Sequence, residues 1–237
     1  MRPRLLLATV LIALASAPET RAAARPDEDA ISILHRMPAR YAPVRDYSAV
    51  FLMQERIRGE LLPLETIGIK FATPFRLYLR WANGPNRGRQ VLYVEGENDN
   101  LLLDREPGLL GLATFRLDPR GFLAMRGRRH PVTEIGIGKL VEHALALLER
   151  QPVILDLGDD TATGRPVRRL ELRSPDATGD EPHHVRLGID SELGLPVEVE
   201  RFDADGNLLE LYRYTGLRLN VGLDPWTFDS RNPAYGF

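Results

Sequence analysis

Two stretches of the chain have the hydrophobic spacing of an amphipathic helix. The first covers about residues 27–41, where Ile31, Leu34 and Met37 recur every three positions behind an acidic start. Acidic residues are favourable in the first turn of a helix, because its N-terminus carries partial positive charge. We therefore expect a helix here, which Pro38 should kink or end early.

A second helix is predicted over about residues 134–150. Thr133 is its expected N-cap, Glu134 lies in its first turn, and Pro152 follows its end. Its apolar residues fall on one stripe, which consists of Ile137, Leu140, Val141, Ala144 and Leu148.

Most of the remaining chain alternates between apolar and polar residues, as short β-strands do. The clearest example is FRLYLRW at 75–81, in which Phe75, Leu77, Leu79 and Trp81 share one face. Strands are expected at residues 46–58, 61–71, 75–81, 89–96, 101–104, 153–157, 165–174, 183–190, 196–203 and 208–219.

The connections between these strands are short, which favours antiparallel pairing of consecutive strands. One sheet of ten or eleven strands should twist and curl into an incomplete barrel, with the two helices covering its apolar face. The sequence therefore predicts a mainly β, α+β fold. We find no internal repeat or linker, so we expect one domain over residues 25–237.

The N-terminus has the pattern of a secretory signal peptide. Arg2 and Arg4 precede the apolar run LLLATVLIALA, and small residues follow it. The best cleavage position follows Ala24, and an uncleaved membrane anchor is the alternative. The apolar run is shorter than the roughly 20 residues that a spanning helix needs. We therefore expect residues 1–24 to be removed and the mature protein to be soluble in the periplasm of a Gram-negative-type bacterium.

Composition excludes some function classes. The 237 residues include no cysteine, so disulfides and lipid attachment to cysteine are ruled out. Residues 1–24 contain three arginines and one glutamate, and without them the formal net charge changes from −2 to −4. A nucleic-acid-binding domain is typically basic, so we expect no nucleic-acid partner.

The stretch RGRRHPVTEIGIGKL, residues 126–140, combines charged residues with glycines. It lacks the spacing of a phosphate-binding loop, in which the lysine is followed by Ser or Thr. The simpler interpretation is the entry into the second helix. The side chains expected at the lid or mouth of a cavity are Arg129, His130, Glu134, Ile137, Leu140 and Val141.

Catalytic and metal-binding patterns are weak. The five histidines have no spacing that places two rings on one metal ion, and His183 and His184 should point to opposite faces of a strand. The sequence contains no G-x-S-x-G motif. We expect no metal, no cofactor and no catalytic residues, although a pair of carboxylates distant in sequence is still open.

The apolar and aromatic residues of the early strands carry the functional prediction. If two helices do not fill the curled sheet, the remaining space suits an acyl chain, because each buried methylene contributes about 0.8 kcal/mol. The residues expected to line this cavity are Phe51, Met53, Ile69, Phe71, Phe75, Leu77, Leu79, Trp81 and Tyr93.

Several motifs resemble a bacterial family of unknown function, DUF1571. They are FLMQERIRGEL (51–61), IKF (69–71), YLRW (78–81), GPNRGRQVLYVEGEND (84–99), RHPVTEIGIGKL (129–140), GLPVEVERFDADGNLLELYRYTGLRLNVGL (194–223) and FDSRNPAYGF (228–237). That family is similar to the periplasmic lipoprotein carriers of the LolA type and to the lipid-binding LppX type. The resemblance covers nearly the whole mature chain.

The resemblance implies a half-barrel closed by helices and a non-enzymatic carrier for acylated lipoproteins or lipids. Envelope membrane proteins are further candidate partners. An arginine on an early strand matters in such carriers, and its possible counterparts here are Arg56, Arg58, Arg76 and Arg80. Two alternatives are an envelope interaction or sensor module with a vestigial cavity, and a hydrolase of envelope polymers. The hydrolase should bring Arg129, His130 and Glu134 together with an acidic side chain.

Overall fold

The computed structural model describes residues 28–108, 113–161, 164–174 and 182–237. The predicted signal peptide, residues 1–24, lies outside the described residues and stays a prediction. Within the described residues there are two α-helices, α1 (Glu28–Tyr41) and α2 (Ile137–Leu148). Both occur where the hydrophobic spacing predicts them.

Pro38 does not end α1 early. The helix continues three residues beyond it to Tyr41, and the N–H of Ala42 still donates to the Pro38 carbonyl at 2.9 Å. A proline in the last turn removes one backbone donor, and the buried Leu34 and Met37 hold the preceding turn against the core.

Helix α2 begins later than predicted, and the expectation that Thr133 is its N-cap was wrong. Thr133 lies in a separate 3₁₀ turn, Val132–Glu134, and the N-cap position is Gly136 with φ 131°. This backbone conformation is strained for residues with a side chain. A Cβ at Gly136 would also lie 3.1 Å from the hydroxyl oxygen of Tyr47.

Two tyrosine hydroxyls take the place of the N-cap side chain. The N–H of Gly136 donates to the Tyr214 hydroxyl at 3.1 Å, and that of Ile137 donates to the Tyr47 hydroxyl at 3.2 Å. Both tyrosines are buried in the sheet. They satisfy first-turn donors that have no partner within the helix, and so they fix the start of α2 to the strands beneath it.

The strands are β1 (Asp46–Ile57), β2 (Glu60–Leu61), β3 (Glu65–Ala72), β4 (Arg76–Trp81), β5 (Gln90–Val94), β6 (Leu102–Arg105), β7 (Phe115–Leu117), β8 (Val153–Asp160), β9 (Val167–Arg173), β10 (His184–Asp190), β11 (Leu195–Phe202) and β12 (Leu208–Leu219). They form one sheet in the order β7-β6-β5-β4-β3-β1-β12-β11-β10-β9-β8, with β2 paired to β1. Every pairing is antiparallel. The sheet does not close on itself, which confirms the predicted incomplete barrel.

The two helices pack on one face of the sheet, which we call the inner face. Helix α1 contacts α2, β8 and β11, and α2 contacts β11. A different element covers the inner face of β3–β6, namely residues 118–136, which form turns and one 3₁₀ turn. We call these residues the cover segment. The two predicted helices therefore cover one half of the inner face, and the cover segment covers the other half.

The opposite, outer face carries a smaller core of its own. Tyr78, Leu92 and Leu103 on β4–β6 pack against Phe228 and Tyr235 from the C-terminal segment. The C-terminal segment therefore covers the outer side of β4–β6, whose inner side is covered by the cover segment.

Candidate functional site

The predicted cavity residues form one apolar surface on the inner face. Eight of the nine are buried, and Phe75 is half-buried against the same core. Three of their rings form a row, in which Phe75 lies in the turn before β4: Phe71 and Phe75 have centroids 5.3 Å apart, and Phe75 and Tyr93 have centroids 5.8 Å apart. Their role in ligand binding stays a prediction.

The space above this surface is small in the structure. A gap of about 30 Å³, the interior gap, lies between the sheet and the cover segment. It is lined by Met53, Ile67, Leu79, Trp81, Arg89, Val91, Leu102, Ala124, Arg128, His130, Val132, Ile135 and Tyr212. Room for one water is far below the several hundred cubic ångströms of a ligand site, so the interior is closed in this conformation.

An open cleft of about 390 Å³, the entrance cleft, adjoins the interior gap. Met53, Arg89 and Arg128 line both spaces. The guanidinium carbons of Arg89 and Arg128 lie 5.1 Å and 5.6 Å from the Trp81 ring. The two arginines therefore stand between water and the apolar interior.

Each of these arginines is held by a buried carboxylate. Arg89 pairs with Asp104 at 2.5 Å, and Arg128 pairs with Glu65 at 2.5 Å. Burial alone would raise the pKa of Glu65, but the hydrogen bond and charge of Arg128, with a hydrogen bond from Asn86, outweigh it and leave the pKa below its ordinary value. The lining of the entrance cleft combines apolar side chains with three acidic and three basic residues, so it is close to neutral and suits a polar head group better than an isolated charge.

A buried polar network lies at the attached end of the cover segment. Arg129 and His130 approach the carboxylate of Glu210 at 3.4 Å and 2.8 Å, and Arg201 also pairs with it. Burial alone would raise the pKa of Glu210. The hydrogen bond from His130 and the charge of Arg201 outweigh that effect and lower its pKa to about 2.

Glu55 is the second carboxylate of this network, and its pKa is shifted in the opposite direction. Burial raises its pKa, although the Tyr212 hydroxyl that donates to it and the charge of Arg128 act against this. The hydroxyl oxygen of Tyr212 is 2.5 Å from Glu55, and the Arg129 N–H donates to the same carboxylate at 3.2 Å. Glu55 therefore links strands β1 and β12 to the cover segment.

The lid and mouth candidates separate into a polar group, Arg129, His130 and Glu134, and an apolar group. Arg129 and His130 belong to the polar network, whereas Glu134 pairs with Arg120 at 3.0 Å and lies 3.4 Å from the His143 ring. The second, apolar group comprises Ile137, Leu140 and Val141, which lie on the buried side of α2 and face the core instead of a mouth. Their inward direction follows from the two tyrosines that fix the first turn of α2.

The hydrolase alternative is met only in part by this geometry. Arg129 and His130 do converge with an acidic side chain, but Glu210 is 1% exposed and is paired with Arg201 as well. A carboxyl group with a pKa of about 2 is a weak base at neutral pH. The network therefore has the character of a structural ion-pair cluster.

The four candidate arginines lie away from the interior gap. Arg56 donates to the carbonyls of Leu208 and Gly59, and Arg58 lies exposed in the turn after β1. Arg76 stacks over Phe228 in the outer core, and Arg80 is exposed on the outer face. Arg89 and Arg128 occupy the position at the entrance instead.

Sequence reasoning missed Glu55, Glu210 and the two capping tyrosines. A signal for Glu55 is present, because it has the same parity as Phe51 and Met53 on β1 and so must point inward. A carboxylate at an inward position predicts a buried partner. Which arginine or histidine supplies that partner depends on the path of the cover segment, which strand periodicity does not reveal.

Two further classes of site find no support in the part of the chain that the structure describes. No cluster of three or more His, Asp or Glu side chains there is arranged to hold a metal ion. In the same residues, neither helix has the length and apolar character to cross a bilayer.

The fold is similar to that of several solved structures. The Mycobacterium tuberculosis lipoprotein LppX has a TM-score of 0.52 at 9% identity, over 86% of this chain and 100% of that chain. MucB in the Pseudomonas aeruginosa MucA/MucB complex has a TM-score of 0.50 at 17% identity, over 85% of this chain. The match covers 61% of that structure's chain, so this protein spans less than two thirds of it.

Comparison with curated protein sequences found no match. The sequence of residues 44–237 matches a family described as protein of unknown function, DUF1571. That range includes every strand of the sheet, α2, the cover segment and the C-terminal segment. The chain belongs to the DUF1571 family.

Proposed function

We propose that this protein is a non-enzymatic periplasmic carrier or binding protein for acylated lipoproteins or lipids. The acyl chain would lie between the inner face of β1 and β3–β6 and the cover segment, with its polar end in the entrance cleft. The observation that carries the proposal is the interior gap, which is lined mostly by apolar side chains, lies under an irregular cover and adjoins the open cleft. Because that gap has room for only about one water molecule, binding requires the cover segment to move outward.

The bonding of the cover segment supports such a movement. Except at Gly136, where α2 begins, its backbone-to-backbone hydrogen bonds join residues three or four positions apart within the segment, as between Met125 and Gly121 or between Ile135 and Val132. They would survive displacement of the segment as a unit. Its Phe122 and Leu123 are 79% and 60% exposed, so this stretch contributes little apolar burial. Segments with few buried contacts open at low free-energy cost.

The energy available from an acyl chain is sufficient for this opening. At about 0.8 kcal/mol per methylene, a chain of about twelve carbons gains roughly 9 kcal/mol on transfer from water. The cleft end of the segment is held by the largely buried Arg128–Glu65 pair and the more exposed Arg120–Glu134 pair. Breaking a buried pair costs about 3–5 kcal/mol and breaking an exposed pair at most about 1 kcal/mol, so opening this end costs less than the acyl chain gains. Ligand transfer between carriers or membranes needs no catalytic group.

The experiment asks whether filling the interior gap weakens binding of an acyl chain. Ala124→Phe places a ring under the cover segment, and Ala42→Phe makes the same substitution in an exposed turn after α1. We expect delipidated protein to bind a fluorescent fatty-acyl probe, Ala124→Phe to weaken binding about tenfold, and Ala42→Phe to bind normally. Absence of probe binding in the unaltered protein would contradict the proposal.

A second candidate is an envelope interaction module in which the interior is vestigial. The observation in its favour is that the protein's own side chains fill the inner face. The fold similarity to MucB, whose structure was solved together with MucA, points the same way. In this case the delipidated protein should bind no acyl probe, and both alanine variants should behave like the unaltered protein.

A further inference from the structure

The outer face contains an open groove of about 440 Å³, formed where β1, β3, β4 and β12 lie side by side. We call it the outer groove. It is separated from the interior gap by the thickness of the sheet. It is lined by Ser48, Ala49, Val50, Gly68, Ile69, Lys70, Tyr78, Arg80, Gly216, Arg218, Ala234 and Tyr235.

The charges around this groove all have one sign. Lys70, Arg80 and Arg218 contribute three cations, and the described lining residues include no Asp or Glu. None of the three forms an ion pair within the part of the chain that the structure describes. Lys70 instead holds its ammonium 5.7 Å and 5.9 Å from the rings of Tyr78 and Tyr235, which stack at 4.0 Å.

The neighbouring outer surface shows that unpaired cations are not the rule in this protein. On β9–β12, Glu198 pairs with both Arg169 and Arg213, and Glu171 pairs with Arg173 and Arg186. Cations there are neutralised by carboxylates on the same strand or on a nearby strand. The outer groove thus concentrates positive charge on a chain whose formal net charge is −2.

The strand register places the three cations around one part of the groove floor, which is the sheet surface at Gly68. Lys70 is opposite Ser48, which is opposite Arg218, so these residues form one row across three strands. Arg80 is opposite Gly68, two residues from Lys70 on the same face. Adjacent strands lie about 4.8 Å apart, which places the three long side chains around the space above Gly68.

Gly68 leaves that floor open. A Cβ built there has its nearest neighbour, the Arg80 carbonyl oxygen, at an ordinary 3.7 Å. A side chain would therefore fit at Gly68 without a clash, and it would occupy the groove. The open floor among three cations has the dimensions and charge for a compact oxyanion.

We propose that the outer groove binds a phosphate group, held by Lys70, Arg80 and Arg218 above Gly68. Guanidinium groups donate paired hydrogen bonds that match phosphate oxygens, and an ammonium adds a point charge. The phosphate belongs either to an anionic lipid head group or to a small soluble ligand, and both present the same oxyanion to the groove.

The test uses Arg80→Gln/Arg218→Gln with Arg58→Gln/Arg87→Gln as its matched control. Both pairs remove two exposed arginines, but the control positions lie in turns away from the groove. Inorganic phosphate is titrated while amide NMR signals are followed. Vesicles of phosphatidylglycerol or phosphatidylcholine are sedimented with the protein at low and high salt. A third variant, Gly68→Thr, fills the floor and keeps every charge.

We expect the groove variant to bind phosphate or phosphatidylglycerol vesicles about tenfold more weakly than the control, and Gly68→Thr to weaken binding as well. Shifts with inorganic phosphate identify a soluble ligand, and binding to vesicles alone identifies a head group. Equal binding by groove and control variants overturns the proposal, as does the absence of binding to both inorganic phosphate and phosphatidylglycerol vesicles. Acyl-probe binding should be unchanged in the groove variant, which separates this site from the interior.

Discussion

The two halves of the inner face are covered by different kinds of structure. On β8–β12 the sheet is covered by α1 and α2, whose apolar stripes are buried with Leu34, Met37 and Ile137 fully enclosed. On β3–β6 it is covered by the irregular cover segment, which is attached mainly through the polar network around Glu55 and Glu210. The first half is held by fully buried apolar side chains, whereas the apolar side chains of the cover segment that pack on the core are partly buried and ion pairs hold it as well. We therefore expect the second half to open at lower cost.

The largest expected difference between the halves concerns apolar truncation. Leu140→Ala in α2 removes a buried side chain and leaves a cavity, and should lower the free energy of unfolding by about 3 kcal/mol. Leu123→Ala in the cover segment removes an exposed one and should change it by less than about 0.5 kcal/mol. Urea denaturation measures both. Equal losses would show that the cover segment is packed as firmly as the helices.

The next effect concerns acid and the polar network. The pKa of Glu210 is about 2 in the folded protein against an ordinary 4.5, so the folded state binds fewer protons between these values. Stability from this group is present above about pH 4.5 and is lost as the pH falls towards 2. The loss is on the order of 3 kcal/mol.

Glu210→Gln removes this titration. The variant should be less stable at neutral pH, because Arg201 and His130 lose their buried partner, but it should lose less stability on acidification. Glu171→Gln is the comparison on the outer face, where the partners Arg173 and Arg186 are more exposed. Its effect on the acid profile should be smaller. A Glu210→Gln profile parallel to that of the unaltered protein from pH 5 to 2 would contradict the assigned role.

The smallest effect concerns the junction between the halves, where Tyr214 accepts the N–H of Gly136. Tyr214→Phe leaves this buried donor without its acceptor and should cost about 1 kcal/mol of unfolding free energy. Tyr93→Phe removes a hydroxyl that is not bonded to any described residue and should cost less than about 0.5 kcal/mol. Thermal denaturation of the two variants distinguishes these outcomes. Equal costs would show that the Tyr214 hydroxyl does not stabilise the start of α2.

The regular part of this molecule could be predicted from its sequence. Period-two alternation in strands such as 75–81 and short turns such as Asp205-Gly206 determine antiparallel neighbours. The stripe from Ile137 to Leu148 determines α2. The structure confirms the open antiparallel sheet and both helices.

The cover segment could not be predicted in the same way. Its residues have neither helical nor strand periodicity, so nothing local specifies where Arg128, Arg129 and His130 go. Their positions follow from carboxylates such as Glu65 and Glu210, which are distant in sequence. The start of α2 was misplaced for a related reason, because its cap comes from Tyr47 and Tyr214 on two strands.

The most direct test of the account is to locate an acyl chain bound to the protein. A fatty acid with a photoreactive diazirine near its methyl end is bound to delipidated protein, irradiated, and the labelled residues are identified by mass spectrometry. The account predicts labels on the interior gap, at Met53, Leu79, Trp81 or Ala124. Labels confined to exposed apolar residues such as Val153 and Leu157, with none on the interior gap, would contradict it.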